Sequence, residues 1–287
     1  MTDAVEAPGG DLSYLFTLSR PRFWLYLAGP VLVGVAYGAA SVPALYGVAP
    51  LALFAYFLVP ANVYLYGVND VFDRGIDRRN PKKEEREARY RGQRVVPVAI
   101  GVSLLLLVPV AAVLEPVAWP WLLGWFVLAT AYSAPPVRFK TTPLLDSISN
   151  GLYVLPGAAA YAATAGTHPP FLAVAAGWAW AMGMHTFSAI PDINPDRTAG
   201  IETTATWLGE RGAVWYCALL WTAAAAGFAL LDWRLGVPIL VYPVLALGVA
   251  YSDVSVHRAY WWFPYVNAVV GMGLTLGGLW RLVDGLA

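Results

Sequence analysis

The chain has 287 residues, 59% of them hydrophobic and only 13% charged, and its formal net charge is zero. Soluble domains carry roughly 25% charged residues, so this composition, with a mean hydropathy of +0.57, excludes an ordinary soluble enzyme. No nucleic-acid partner is expected from a chain without basic excess.

The first 19 residues hold Asp3, Glu6 and Asp11 and lack a basic stretch followed by a short apolar core. No cleavable signal is expected, and residues 1–19 read as a cytoplasmic tail before a retained span. A helix crossing a bilayer needs about 20 mostly apolar residues. Nine such stretches follow, at about 22–40, 49–69, 95–114, 117–134, 146–165, 170–190, 213–231, 236–253 and 261–283. Pro109 and Pro156 fall inside two of them and predict kinks. The expected fold is therefore all-α: a single polytopic membrane domain over 1–287 with nine transmembrane helices in a bundle. The lone Cys217 lies in an apolar run and reads as a small buried hydrophobe.

The connections differ sharply in charge. Arg20 and Arg22 precede the first span. The 70–94 connection holds nine Lys and Arg, the 135–145 connection holds Arg138 and Lys140, the 191–212 connection holds Arg197 and Arg211, and Arg258 precedes the last span. Only Arg234 and Arg281 of the 18 basic residues fall on the other side. The positive-inside bias places the N-terminus and these polar connections in the cytoplasm and the C-terminus outside, in the cell membrane. Where the 70–94 run alternates Lys and Arg with Glu84, Glu85 and Glu87, it reads as a solvated loop touching anionic lipid.

Where the second span meets that loop stands Asn69-Asp70-Val71-Phe72-Asp73-Arg74-Gly75-Ile76-Asp77. On a helix, Asp70, Asp73 and Asp77 share one face, and Asn62 lies near it two turns earlier. Three like charges on one face repel unless a cation sits among them, and oxygen-only ligands suit magnesium. The sixth span ends in a second acidic pair, Asp192 and Asp196. Pro195 between them predicts either a kink or a new helix capped by Asn194. Interleaved with the acids are Arg74, Arg138, Lys140 and Arg197. A cation path gains nothing from those bases, whereas a diphosphate bound through magnesium needs both signs. The Tyr132–Lys140 segment, with Pro135 and Pro136, predicts a rigid extended element that points Arg138 and Lys140 to one side. Asp146 and Asn150, at i and i+4, open the next span; Asp146 is either a helix-dipole partner or a site residue. His185, close to the second motif, is either a packing residue or an acid/base group. Tyr56, Tyr64, Tyr66, Tyr153, Trp178, Trp180 and Phe187 stock the neighbouring spans, and any that face the acids can stabilise a carbocation.

The set Asn69-Asp70-x-x-Asp73-x-x-x-Asp77, Tyr132-Ser-x-Pro-Pro-x-Arg138-x-Lys140 and Asp192-x-x-x-Asp196 resembles the signature of the UbiA-type intramembrane prenyltransferases, over nearly the whole chain. The resemblance implies a helical bundle around a lateral, lipid-open cavity with a polar cap on its cytoplasmic side. It further implies magnesium and an allylic diphosphate held by the two acidic motifs, and prenyl transfer by ionisation of that diphosphate. Within the family, Asn80–Tyr90, Met184–Asp196 and Ala199–Thr206 are similar to the lycopene elongases of haloarchaea and some actinobacteria. That similarity implies dimethylallyl diphosphate as donor and lycopene, or another apolar isoprenoid, as acceptor, with hydration in the haloarchaeal type. A quinone precursor or other aromatic acceptor stays open, as does an ion transporter, although a transporter needs ionisable residues along the spans and few are present.

Overall fold

The computed structural model describes residues 10–77, 90–252 and 255–284, the side chains at 75–77 and 257 excepted. Among them there is helix and no strand. In chain order the helices are α1 (Asp11–Leu18), α2 (Trp24–Gly38), α3 (Val48–Leu58), α4 (Pro60–Asp77), α5 (Val95–Ala112), α6 (Trp119–Ser133), α7 (Leu145–Ile148), α8 (Leu155–Ala165), α9 (Phe171–Ala189), α10 (Ile193–Ala199), α11 (Thr204–Leu231), α12 (Trp233–Ile239), α13 (Val241–Ala250) and α14 (Val256–Val283). Each of the nine expected spans falls on helix, and three of them are broken. Pro60 splits the second into α3 and α4. A 3-10 turn, Ser149–Tyr153, separates α7 from α8, with Pro156 in the first turn of α8 rather than at a mid-helix kink. Leu240 separates α12 from α13. By length and composition, five described stretches can cross a membrane: Val48–Arg74, Val95–Ala112, Thr204–Leu231, Trp233–Ala250 and Arg258–Val283.

Prolines cause these breaks by removing a backbone donor and crowding the carbonyl four residues back. At the first break Asn62 compensates. Its Nδ2 donates to Phe57 O and Leu58 O, both at 3.0 Å.

Two aromatic cores hold the bundle. In one, Trp125 meets Phe57 edge-on at 5.0 Å and packs against Tyr56 and Tyr64. In the other, Phe187, Trp221, Tyr242 and Phe263 stack, with Phe187 and Phe263 4.7 Å apart. The segment expected as a tail contains α1, whose Tyr14 and Leu18 pack against Val96 and Val71, while Leu12 and Phe16 face outward.

Between α2 and α8 the backbones themselves touch. A Cβ at Gly34 would lie 2.1 Å from Gly157 O, and one at Gly157 would lie 2.7 Å from Pro30 O. Small residues at such crossings let membrane helices approach to backbone contact. Gly34→Val therefore forces the pair apart. It is expected to cost about 1–3 kcal/mol, read as a lower thermal midpoint of the detergent-purified protein. An unchanged midpoint would show that the contact is dispensable.

Candidate active site

Charge in an apolar bundle has to be balanced locally, and α4 shows how. Asp70 is 1% exposed. Arg20 Nη2 lies 3.5 Å from its Oδ1, and Asn69 Nδ2 donates to the same oxygen at 3.4 Å. Asp73, one turn on, accepts from Arg138 Nη2 at 2.7 Å and from Lys140 Nζ. Lys140 also donates to Asn69 Oδ1 at 2.8 Å, and Ser133 Oγ donates to that oxygen at 3.0 Å. Asn69 thus joins the two acids to the α6–α7 connection. Beside them, α1 sets Tyr14 close to Asp70. Burial first, then the Asp70 charge, push its phenol above the ordinary value, so it stays protonated.

That connection is not the extended element the sequence suggests. The Arg138 N–H bonds Ala134 O at 3.1 Å, Arg138 is left-handed at φ 44°, and a 3-10 turn, Phe139–Thr141, follows. Arg138 and Lys140 reach one carboxylate because the chain turns, not because strand alternation aims them together. Arg20 is left-handed too, at φ 50°. Such non-glycine conformations cost about 1–3 kcal/mol and gather at functional sites. Arg20 also stacks over Tyr66 at 4.3 Å. Its role escapes the acidic motifs; the signal was Arg20-Pro21-Arg22, two cations against the edge of an apolar run.

Opposite α4, the second motif is arranged differently from either expectation. α9 tightens into a 3-10 turn, Ile190–Asp192, before α10 begins at Ile193. Asn194 therefore lies inside α10 and caps nothing. Pro191 and Pro195 each withhold an N–H, which moves the break to the first of them. Asp192 and Asp196 both line a chamber of about 630 Å³ shared with Asn69, Asp73, Lys140, Asn150 and His185. Tyr66, Tyr132, Tyr153 and Trp180 are also in its wall.

Other candidates point elsewhere. Arg74 donates to Arg91 O at 3.1 Å, and Arg197 donates to Thr206 O at 2.7 Å. Asn62 serves the α3–α4 break. Asp146 is fully buried. Both its oxygens accept from the Thr204 N–H at 3.1 Å, and Oδ1 also accepts from Thr204 Oγ1. It thereby ties α7 to the start of α11, and Asn150 Nδ2 donates to its carbonyl at 2.6 Å. The Asp77 side chain and the basic run 78–89 lie outside the described residues. Of the aromatics, Tyr56, Tyr64 and Phe187 belong to the cores, and Trp178 donates to Ile148 O at 2.8 Å.

A second cavity, about 580 Å³ and almost wholly apolar, runs along α2 from Arg22 to Tyr37 and along α14 to Arg281. It shares Arg22, Tyr26, Tyr153, Trp180 and Asn267 with the chamber. A charged chamber and an apolar groove therefore have a common wall.

The donor chemistry fits a hard cation, since Asn69, Asp73, Asp192 and Asp196 all present oxygen to one chamber. Among the described residues no three His, Cys, Asp or Glu converge as an ion cage; Asp73 is neutralised by Arg138 and Lys140 instead. Arg138 Nε is buried and donates to no described group.

The model of the UbiA prenyltransferase family matches residues 27–261. A lycopene elongase/hydratase of Haloferax volcanii is 65% identical over 277 residues, covering 96% of this chain and 92% of that protein. One of Halobacterium salinarum is 65% identical over 272 residues, covering 95% and 99%. Among solved structures, a UbiA homolog from Archaeoglobus fulgidus bound to GPP and Mg2+ superposes with a TM-score of 0.71 at 23% identity, covering 93% of this chain and 99% of that one.

Removing the Asp146 carboxylate leaves two buried Thr204 donors unmet. Asp146→Ala is expected to cost about 2–3 kcal/mol, seen as a fall in thermal midpoint. No fall would remove its structural role.

Proposed function

The chain belongs to the UbiA prenyltransferase family, and from that premise we propose that it transfers a dimethylallyl group from its diphosphate to the ends of lycopene, the reaction ending in proton loss or in hydration. It is a multi-pass membrane prenyltransferase. We take the chain as one domain crossing the membrane nine times, with the N-terminus and chamber cytoplasmic and the C-terminus outside. The observation that carries the reading is the common wall: a chamber lined by acids and bases shares five lining residues with an apolar groove. A diphosphate suits the first and a long polyene the second. The names of the 65% identical relatives favour lycopene over an aromatic acceptor.

In this reading Asp70, Asp73 and Asp77, together with Asp192 and Asp196, would hold magnesium, and Asn69 would meet the diphosphate. When bound, magnesium supplies charge neutralisation that makes diphosphate a better leaving group. Lys140 and Arg138 turn from Asp73 to the diphosphate oxygens, with Arg20 behind them. Arg74 and Arg197, assigned to the diphosphate from sequence, hold the Arg91 and Thr206 carbonyls and steady the motifs. The rings of Tyr66, Tyr132, Tyr153 and Trp180 present electron-rich faces to the allylic cation and keep water from it. The terminal double bond of lycopene, lying in the groove, attacks across the common wall.

The test is purified protein in liposomes with lycopene, dimethylallyl diphosphate and magnesium, with products read by chromatography and mass. One or two added five-carbon units, with or without water, are expected. Prenylation of an aromatic acid instead would overturn the acceptor. Asp70→Ala and Asp192→Ala are each expected to lower turnover by about 10³-fold, and chelation to abolish it until magnesium is returned. Near-normal turnover in either variant would remove that residue from the site.

A further inference from the structure

Resting on the function proposed above, we infer that His185, held by the buried carboxylate of Asp146, is the base that ends the reaction. Asp146 is 0% exposed, and the Thr204 groups that meet its carboxylate are neutral donors. Neutral donors solvate a buried carboxylate without cancelling its charge. His185 lies against this carboxylate, its Nε2 3.4 Å from Asp146 Oδ2. His185 is also the one histidine among the described residues that line the chamber. Its ring stands edge-on to Tyr132, 5.9 Å away at 89°. An imidazole backed by a carboxylate keeps its N–H on that side and leaves the other nitrogen basic, here Nδ1. Of the other charged groups of the wall, Lys140 is paired with Asp73 and Arg20 lies against Asp70, and Asp192 and Asp196 are the proposed metal ligands.

The chemistry needs such a base. Attack by the acceptor double bond forms the new carbon–carbon bond and leaves a tertiary carbocation. Two routes discharge it. An adjacent C–H bond can give its electron pair to a new double bond while its proton goes to Nδ1. Alternatively, a water oxygen can form the C–O bond while a water proton goes to Nδ1. Either route leaves an imidazolium facing Asp146, and its proton leaves to solvent with the released products. His185 is then a catalytic residue and Asp146 its positioning residue.

The experiment measures adduct formed per diphosphate released, in liposomes with lycopene, dimethylallyl diphosphate and magnesium. In the wild type the ratio is expected near one. In His185→Gln, which keeps a donor for Asp146, the ratio is expected to fall about 100-fold. His185→Ala is expected to fall likewise and to recover part of the ratio with added imidazole, which a packing role would not allow. Asp146→Asn, retaining an acceptor for Thr204 without the charge, is expected to lower the ratio as well. An unchanged ratio in His185→Gln, or an Ala variant that imidazole does not rescue, overturns the assignment of His185; an unchanged ratio in Asp146→Asn overturns that of Asp146. A wild type that releases diphosphate and forms no lycopene adduct overturns the acceptor instead. In that case the ratio is measured on whichever acceptor is prenylated.

Discussion

Asp73 lies between Arg138 and Lys140, and the site is built around that balance. A carboxylate at the end of a membrane helix costs several kcal/mol if left alone. The two cations that satisfy it come from the α6–α7 connection, 65 and 67 residues further along the chain. Their pairing fixes where α4 ends relative to α6, and Asn69 strengthens the link by accepting from both Ser133 and Lys140. The arrangement has a chemical consequence. A diphosphate with its metal brings both signs of charge, so acids and bases that balance each other alone can each exchange a partner when it binds.

Local spacing made part of this legible in the sequence. The i and i+3 placement of Asp70 and Asp73, and the i and i+4 placement of Asp192 and Asp196, mark two acidic pairs, of which Asp73, Asp192 and Asp196 line the chamber while Asp70 is buried against Arg20. The basic connection was legible for its charge and misread for its shape: a turn does the aiming that strand alternation was expected to do. Residues with long-range partners were the hardest to read. Asp146 reads in the sequence as a helix-dipole partner or a site residue, and neither Thr204, 58 residues away, nor His185 is legible there as its partner. Asn62 looks like part of an acidic face, yet its amide meets Phe57 O and Leu58 O at the break before Pro60. Arg74 and Arg197 have the right charge in the right motifs, yet their side chains reach the carbonyls of Arg91 and Thr206. The eight-residue α1 is too short for hydropathy to separate from a tail, although its contacts with α4 and α5 help place Arg20.

The fold and the chemistry meet at the wall between chamber and groove. Helices α2 and α14 both contribute to that wall, Tyr26 from one and Asn267 from the other, with Arg22 just before α2. Gly34 and Gly157, through which α2 packs closely on α8, both line the groove.

The most direct measurement is to block the groove without disturbing the fold. Gly29 lines the groove, and a Cβ there meets nothing within 4 Å. Gly29→Trp can therefore fill the groove at little cost to packing. Thermal midpoint and donor binding, measured on the same preparation, serve as controls. Lycopene adduct formation is expected to fall at least about tenfold, the scale of lost substrate positioning, with both controls near wild type. Adduct formation at the wild-type rate in a folded Gly29→Trp protein would contradict the claim that chamber and groove form one reaction vessel.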